Sequence, residues 1–275
     1  MDIRLIAVDL DGTLLNSQKE LTPRTKEALT RAAEKGVHIV PATGRTFGGV
    51  PEIVRSLPFV RYGICINGGS VWDAQIDGAI HTAEIPYERA EEFFDYVEQF
   101  HTMYDCYVDG WGKSDRKFFD HLLDYVDEDV VKIIKATRSP VDDFRGYIRS
   151  LSHDIQKIIL FFRDLEVHDR MIEKIRADLP DMAVTAALPC NIELNNKDAN
   201  KGAALRILCE HLGFGPEQAM AFGDGGNDQS MIETAGLGVV MANGVPELKA
   251  AADYITLSND EDGVAAAIEK FVLNV

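Results

Sequence analysis

The sequence predicts an α/β fold, a doubly wound parallel-sheet (Rossmann-like) core into which an α+β cap domain is inserted. Three observations predict it. Short apolar runs rich in β-branched residues alternate with helix-length segments at the start of the chain, the same rhythm returns towards its end, and between them the pattern breaks for about a hundred residues. Continuous apolar runs of strand length are what a parallel sheet buried on both faces requires.

The first run, residues 3–8, stops abruptly at Asp9-Leu10-Asp11-Gly12, as a strand ending in a turn does. A helix follows. Thr22 is placed to cap it, Pro23 suits its first position, Ala28, Leu29, Ala32 and Ala33 share one face, and Gly36 ends it. Residues 37–40 form a second apolar run before Thr43-Gly44-Arg45, a further helix reaches Leu57, and residues 62–66 form a third run before Asn67-Gly68-Gly69. Residues 71–81 then read as a hairpin about Asp77-Gly78. Between 85 and 189, strand-like stretches at 103–108, 155–162 and 182–188 mix with helical ones at 88–99 and 167–179. The first rhythm resumes with strands at 191–194, 219–222 and 238–241 and helices at 201–212, 227–234 and 263–271. The expected division is 1–84 plus 190–275 for the core and 85–189 for the cap.

Composition narrows the function before any motif is read. The chain has 275 residues, 46% hydrophobic and 27% charged, as a globular protein does. Its 28 basic and 45 acidic side chains give a net charge of −17, and there is no run of basic residues. An acidic surface repels nucleic-acid backbones and anionic lipid, so neither is expected as a partner. Cys65, Cys106, Cys190 and Cys209 fit neither a zinc pattern nor a disulfide framework. With no leader-like or spanning apolar segment, the expectation is a cytoplasmic protein. The seven histidines lack paired metal-ligand spacing, and the Gly223-Gly225-Gly226 loop carries an aspartate that would repel a pyrophosphate.

Ligands of an open parallel sheet bind beyond the carboxyl ends of its strands. The residues found there are Asp9, Asp11, Thr43, Asn67, Asp224, Asn227 and Asp228, with Lys201 opening a helix between them. Converging carboxylates without histidine or cysteine make a hard-oxygen site suited to Mg2+, which would relieve their repulsion. Asp9 and Asp11 alternate, so both can point the same way while Gly12 lets the chain turn. One carboxylate can then attack phosphorus while the other manages protons.

Taken together, Asp9-Leu10-Asp11-Gly12-Thr13-Leu14-Leu15, Thr43-Gly44-Arg45, Lys201-Gly202 and Gly223-Asp224-Gly225-Gly226-Asn227-Asp228 resemble, in order, the four motifs of the haloacid dehalogenase superfamily. Within it the chain is similar to the Cof-type, sugar-phosphatase-like family, which carries a large cap between the second and third motifs. The resemblance implies Asp9 as nucleophile and metal ligand, and Asp11 as general acid/base that lends its backbone carbonyl to the metal. Asp224 becomes the third protein ligand. It also implies that Thr43, the Leu10 and Gly44 amides and Asn227 hold phosphate oxygens, that Lys201 neutralises charge on Asp9 and phosphate, and that Asp228 orients this shell. The expected activity is magnesium-dependent hydrolysis of a small phosphate monoester through an aspartyl-phosphate. A phosphomutase or a phospho-accepting signalling domain is the alternative.

Some assignments stay open at this level. Lys197 competes with Lys201, and Asp198-Ala199-Asn200 departs from the small or hydroxyl residue the family pattern places beside that lysine. Asn67-Gly68-Gly69 resembles a family turn near the site and equally reads as a plain strand-ending turn. Arg45 is either structural or at the rim. The cap, in which Phe93, Phe94, Tyr96 and Phe100 have the spacing of a helix core, contains no decodable substrate motif.

Overall fold

The computed structural model describes residues 2–275 except His101, Ser152 and Ala187. It contains two compact units, one formed by the chain up to Thr82 together with Ala199–Val275, the other by Ala83–Asp198. In chain order, the first unit begins with β1 (Leu5–Val8), β2 (His38–Pro41), β3 (Tyr62–Cys65), β4 (Ser70–Asp73) and β5 (Gly78–Thr82). The second unit carries β6 (Met103–Val108), β7 (Trp111–Asp115), β8 (Arg138–Val141), β9 (Lys157–Phe161), β10 (Met182–Thr185) and β11 (Asn191–Asn196). The first unit resumes with β12 (Ala219–Gly223), β13 (Leu237–Val240) and β14 (Tyr254–Ile255).

In the first unit, β14-β13-β12-β1-β2 form a sheet whose neighbours all pair in parallel. Successive side chains of β1 serve opposite layers. Ile6 and Val8 pack with Ala28, Leu29 and Ala32 of the helix Pro23–Glu34, while Leu5 and Ala7 pack with Leu205 and Leu208 of the helix Lys201–His211. This is the doubly wound α/β core. Thr22 caps the first helix by accepting the Thr25 amide at 3.2 Å, and Asn200 caps the other by accepting the Ala203 amide at 2.8 Å. Asn200 therefore departs from the family pattern in residue type but does the work of an N-cap.

Two strands sit differently from the sequence expectation. The third apolar run, β3, is not a member of the parallel sheet; it pairs antiparallel with β4 and meets the segment after β2 only at the parallel bridge Ala42–Ile64. Only four residues separate β3 from β4, a connection too short for a parallel crossover. The run at 191–194, expected in the core, is β11 of the second unit, antiparallel to both β9 and β10. Its sequence alternates Asn191, Glu193 and Asn195 with Ile192 and Leu194, the pattern of a strand whose two faces differ. The second unit accordingly extends from 83 to 198 rather than from 85 to 189. The expected strand at 182–188 is β10, which ends at Thr185, and its residue 187 lies outside the described residues.

The second unit's sheet runs β10-β11-β9-β6-β7-β8. Tyr104, Cys106, Ile158 and Leu160 belong to the core that Phe93, Phe94 and Phe144 complete, so the aromatic series is interior packing. The alternate residues of the same strands carry two buried ion pairs, Asp105–Arg138 at 3.0 Å and Lys157–Glu193 at 3.0 Å. Among the described residues, no helix is long and apolar enough to cross a membrane.

Candidate active site

The site is assembled where β1 and its parallel neighbour β12 end. The Asp9 amide still donates to the Phe222 carbonyl at 3.1 Å, so Asp9 leaves the sheet at a fixed point. The chain then turns at Gly12, whose φ of +88° suits glycine, and a Cβ there would stand 2.4 Å from Asp224 Oδ2. The Leu14 and Leu15 amides close the loop on the carbonyls of Asp9 and Leu10 at 3.1 and 2.9 Å. Asn243 Nδ2 donates to the Gly12 carbonyl at 2.8 Å.

Beyond β12, carboxylate oxygens of Asp9, Asp224 and Asp228 lie within 4.8 Å of one another. Lys201, the first residue of its helix and fully buried, projects between two of them, its Nζ 2.7 Å from Asp9 Oδ1 and 2.6 Å from Asp228 Oδ1. Asp228 Oδ2 accepts the amides of Asp224 and Gly225, both at 3.0 Å. Both Asp228 oxygens are thus engaged by neighbouring groups of the site. Thr13, to which the sequence reading gave no part, donates to Asp224 Oδ1 at 2.9 Å.

Asp11 faces elsewhere. Its carboxylate is partly exposed and gripped by Lys19 at 2.8 Å and Arg45 at 2.7 Å. The carboxylate that joins Asp9 and Asp224 is therefore that of Asp228, and any contact of Asp11 with a metal is left to its backbone. Arg45, read from sequence as either structural or at the rim, is an ion-pair partner of Asp11. Lys19 carried no signal: it is an exposed lysine, and its left-handed φ of 62° leaves no mark in the sequence. Of Lys197 and Lys201, it is Lys201 that is buried and reaches Asp9.

Thr43 is buried, its amide donating to the Ile64 carbonyl at 2.8 Å and its Oγ1 accepting the Arg45 amide at 3.2 Å. Asn227 Nδ2 donates to Asn67 Oδ1 at 3.3 Å, and that oxygen lies 2.9 Å from where a Cβ on Gly44 would stand. The structure thus brings the Thr43-Gly44 loop, Asn67 and Asn227 into one neighbourhood.

The electrostatics follow from burial. Burial pushes the Asp9 carboxyl up to about 7, with Asp228 and Asp224 adding to the rise and Lys201 opposing it. Burial and the Asp228 charge likewise raise Asp224, against the Thr13 hydrogen bond. Burial alone would lower Lys201, yet Asp228 and Asp9 more than offset this and hold its ammonium above the usual value. For Asp11, burial is outweighed by Lys19 and Arg45, so its carboxyl lies below the ordinary range. Three clustered carboxylates share one ammonium, leaving an excess of negative charge among oxygen donors only. That donor set fits a hard divalent cation.

A family profile described as haloacid dehalogenase-like hydrolase matches residues 6–268. The chain is 33% identical over 273 residues to a 5-amino-6-(5-phospho-D-ribitylamino)uracil phosphatase of Bacillus subtilis, covering 99% of this chain and 97% of that protein. It is 28% identical over 283 residues to the pyridoxal phosphate phosphatase of Escherichia coli, covering 98% of each. Among solved structures it resembles a haloacid dehalogenase-like hydrolase from Bacteroides thetaiotaomicron, with TM-score 0.82 and 31% identity over 98% of this chain and 99% of that one. On the strength of a profile that spans both units, and of phosphatases aligned along nearly the whole length, the chain belongs to the haloacid dehalogenase-like hydrolases and is a phosphatase of the Cof type.

Proposed function

We propose that this phosphatase hydrolyses a small phosphate monoester, a sugar phosphate or a similar metabolite, through an aspartyl-phosphate on Asp9 with Mg2+ bound. The observation that carries the reading is the buried Lys201 ammonium between Asp9 and Asp228, with Asp224 beside them, at the ends of β1 and β12. Asp9 and Asp224, with the Asp11 carbonyl, would hold the metal. When bound, Mg2+ neutralises charge that builds on the phosphoryl oxygens.

An Asp9 carboxylate oxygen attacks phosphorus, the ester P–O bond breaks, and the leaving alkoxide takes a proton from Asp11. Water then attacks the aspartyl-phosphate, giving its proton to Asp11, and inorganic phosphate leaves as Asp9 is restored. Lys201 holds one Asp9 oxygen, which fixes the carboxylate for attack. Thr43, the Leu10 and Gly44 amides and Asn227 supply donors for phosphate oxygens, the stabilisation that a charged, loose transition state needs. The unit spanning 83–198 contains none of these groups, and we assign to it the choice of leaving group.

The named relatives act on esters with different leaving groups, a ribitylaminouracil and a pyridoxal, so the substrate is sought by assay. The four cysteines are free thiols, in keeping with a cytoplasmic setting. The test is a phosphate-release screen over sugar, polyol, nucleotide and cofactor phosphates with Mg2+, using Asp9→Asn as blank. Mg2+-dependent release of inorganic phosphate from a small ester is the expected result. Undiminished release in excess chelator would refute the metal assignment, and phosphoryl return to the sugar without release would refute hydrolysis.

A further inference from the structure

Ile66, Asn67 and Gly68 all have positive φ, at 54°, 56° and 97°. Glycine enters that region freely and asparagine tolerates it, but a β-branched isoleucine there is an outlier. Such backbone persists only where the surroundings over-determine it, and it gathers at functional sites.

The surroundings here are the motifs assigned above to phosphate. The Ile66 amide donates to the Arg45 carbonyl at 2.9 Å and the Asn67 amide to the Thr43 carbonyl at 3.0 Å, tying the turn to both ends of Thr43-Gly44-Arg45. A Cβ on Gly68 would stand 2.2 Å from the Asn200 carbonyl oxygen and 2.8 Å from the Lys201 nitrogen, so the turn lies against the start of the lysine's helix. The Asn67 side chain, 5% exposed, sits beside Gly44 and accepts from Asn227. One tripeptide therefore touches three separate phosphate-binding segments.

We propose that Asn67 is a positioning residue for the phosphoryl group, an inference that rests on the phosphate-binding reading of Gly44 and Asn227. Its Oδ1 fixes which way the Asn227 amide turns. One Nδ2 hydrogen of Asn227 points to Asn67, and the second is held towards a phosphate oxygen. The same side chain braces the Gly44 backbone, whose amide is a second donor. Glycine at position 67 would satisfy the left-handed backbone but leave Asn227 without its guide. Aspartate would keep the acceptor and add a negative charge where an anion must bind.

These demands can be separated by experiment. Asn67→Gly, Asn67→Asp, Asn227→Ala and the double variant Asn67→Gly/Asn227→Ala are compared by kcat and KM, by competitive inhibition with inorganic phosphate, and by thermal unfolding. Asn67→Gly is expected to melt close to wild type while kcat/KM falls and the inhibition constant for phosphate rises, each by about fivefold to tenfold, the worth of one oriented hydrogen bond. Because Asn67 acts in part through Asn227 and in part through Gly44, the double variant is expected to weaken phosphate binding by clearly less than the product of the two single effects. Wild-type kinetics in Asn67→Gly would overturn the inference, leaving Asn67 a mere turn residue, as would full additivity in the double variant. If Asn67→Gly melts early, Asn67→Asp decides: weaker phosphate inhibition at wild-type stability supports the inference, and unchanged inhibition overturns it. Unchanged phosphate inhibition in Asn227→Ala would instead remove the parent reading.

Discussion

Arg45 grips Asp11 through two nitrogens, Nη2 at 2.7 Å and Nε at 3.2 Å from the same carboxylate oxygen, while Lys19 holds the other oxygen at 2.8 Å. The carboxyl proposed above as general acid/base is thus held below the ordinary range by two cations that oppose the effect of burial, and only its protonated form can serve the leaving alkoxide. Replacing Arg45 by Met removes one cation, so the Asp11 carboxyl moves upward. The protonated acid then persists to higher pH, so the limb of the kcat profile that reports its loss should shift upward, measured by phosphate release across the pH range. An unmoved limb would separate Arg45 from Asp11 in function.

Asp9→Asn should abolish turnover in a folded protein, because an amide is neither a nucleophile towards phosphorus nor a good ligand for a hard cation. Release of phosphate within about tenfold of wild type would remove Asp9 from the role, since loss of an essential nucleophile costs far more.

Lys201→Met leaves Asp9 and Asp228 buried without their shared ammonium. Removing one partner of a buried ion pair costs about 3–5 kcal/mol. Urea denaturation in chelator should show a loss of that order, and added Mg2+ should restore part of it. A loss no larger than that of a surface substitution would contradict the arrangement.

Metal binding should strengthen with pH. The folded-state Asp9 carboxyl, raised from 3.8 to about 7, binds protons that the unfolded chain has lost. Its contribution to stability therefore falls as pH rises between those values in the metal-free protein. A divalent cation competes with that proton. The Mg2+-induced rise in melting temperature should be larger at pH 8 than at pH 5.5, and a pH-independent rise would place the ion away from Asp9.

Two glycines with similar backbone should respond differently to alanine. Gly36 has φ +85° with nothing within 4 Å of an added Cβ, whereas at Gly68, φ +97°, the Cβ would meet the Asn200 backbone at 2.2 Å. Gly36→Ala should cost about 1 kcal/mol from conformation alone. Gly68→Ala should cost clearly more and lower activity, read by denaturation and phosphate release together.

Much of this was legible in the chain. The abrupt ends of apolar runs at Asp9, Thr43 and Asp224 mark strand termini, and strand termini are where a doubly wound sheet places its ligands. Lys201 was visible because Gly202 follows it, and that glycine has no room for a side chain against the Ser230 carbonyl. Other features were hidden by their physics. The grip of Lys19 and Arg45 on Asp11 is a tertiary meeting of ordinary exposed cations. The placing of β3 and β11 depended on connection length and pairing direction, to which apolar content is blind. The Asn67 turn could be read both as a family turn near the site and as a plain strand end, because left-handed backbone at an isoleucine leaves no compositional trace.

The central strand pair β1–β12 joins Leu5 to Ala219, and the Asp9–Lys201 contact closes a separation of 192 residues. Chains grow from the amino end, so the first core strands emerge long before the strand and lysine that complete them. During synthesis β1 is an apolar edge awaiting its neighbour, while the unit spanning 83–198 carries its own sheet and can form first. The stretch of chain from Lys201 onward therefore completes a waiting half-sheet, and a molecule truncated before Lys201 would keep Asp9 but lack the lysine and the other two carboxylates clustered with it.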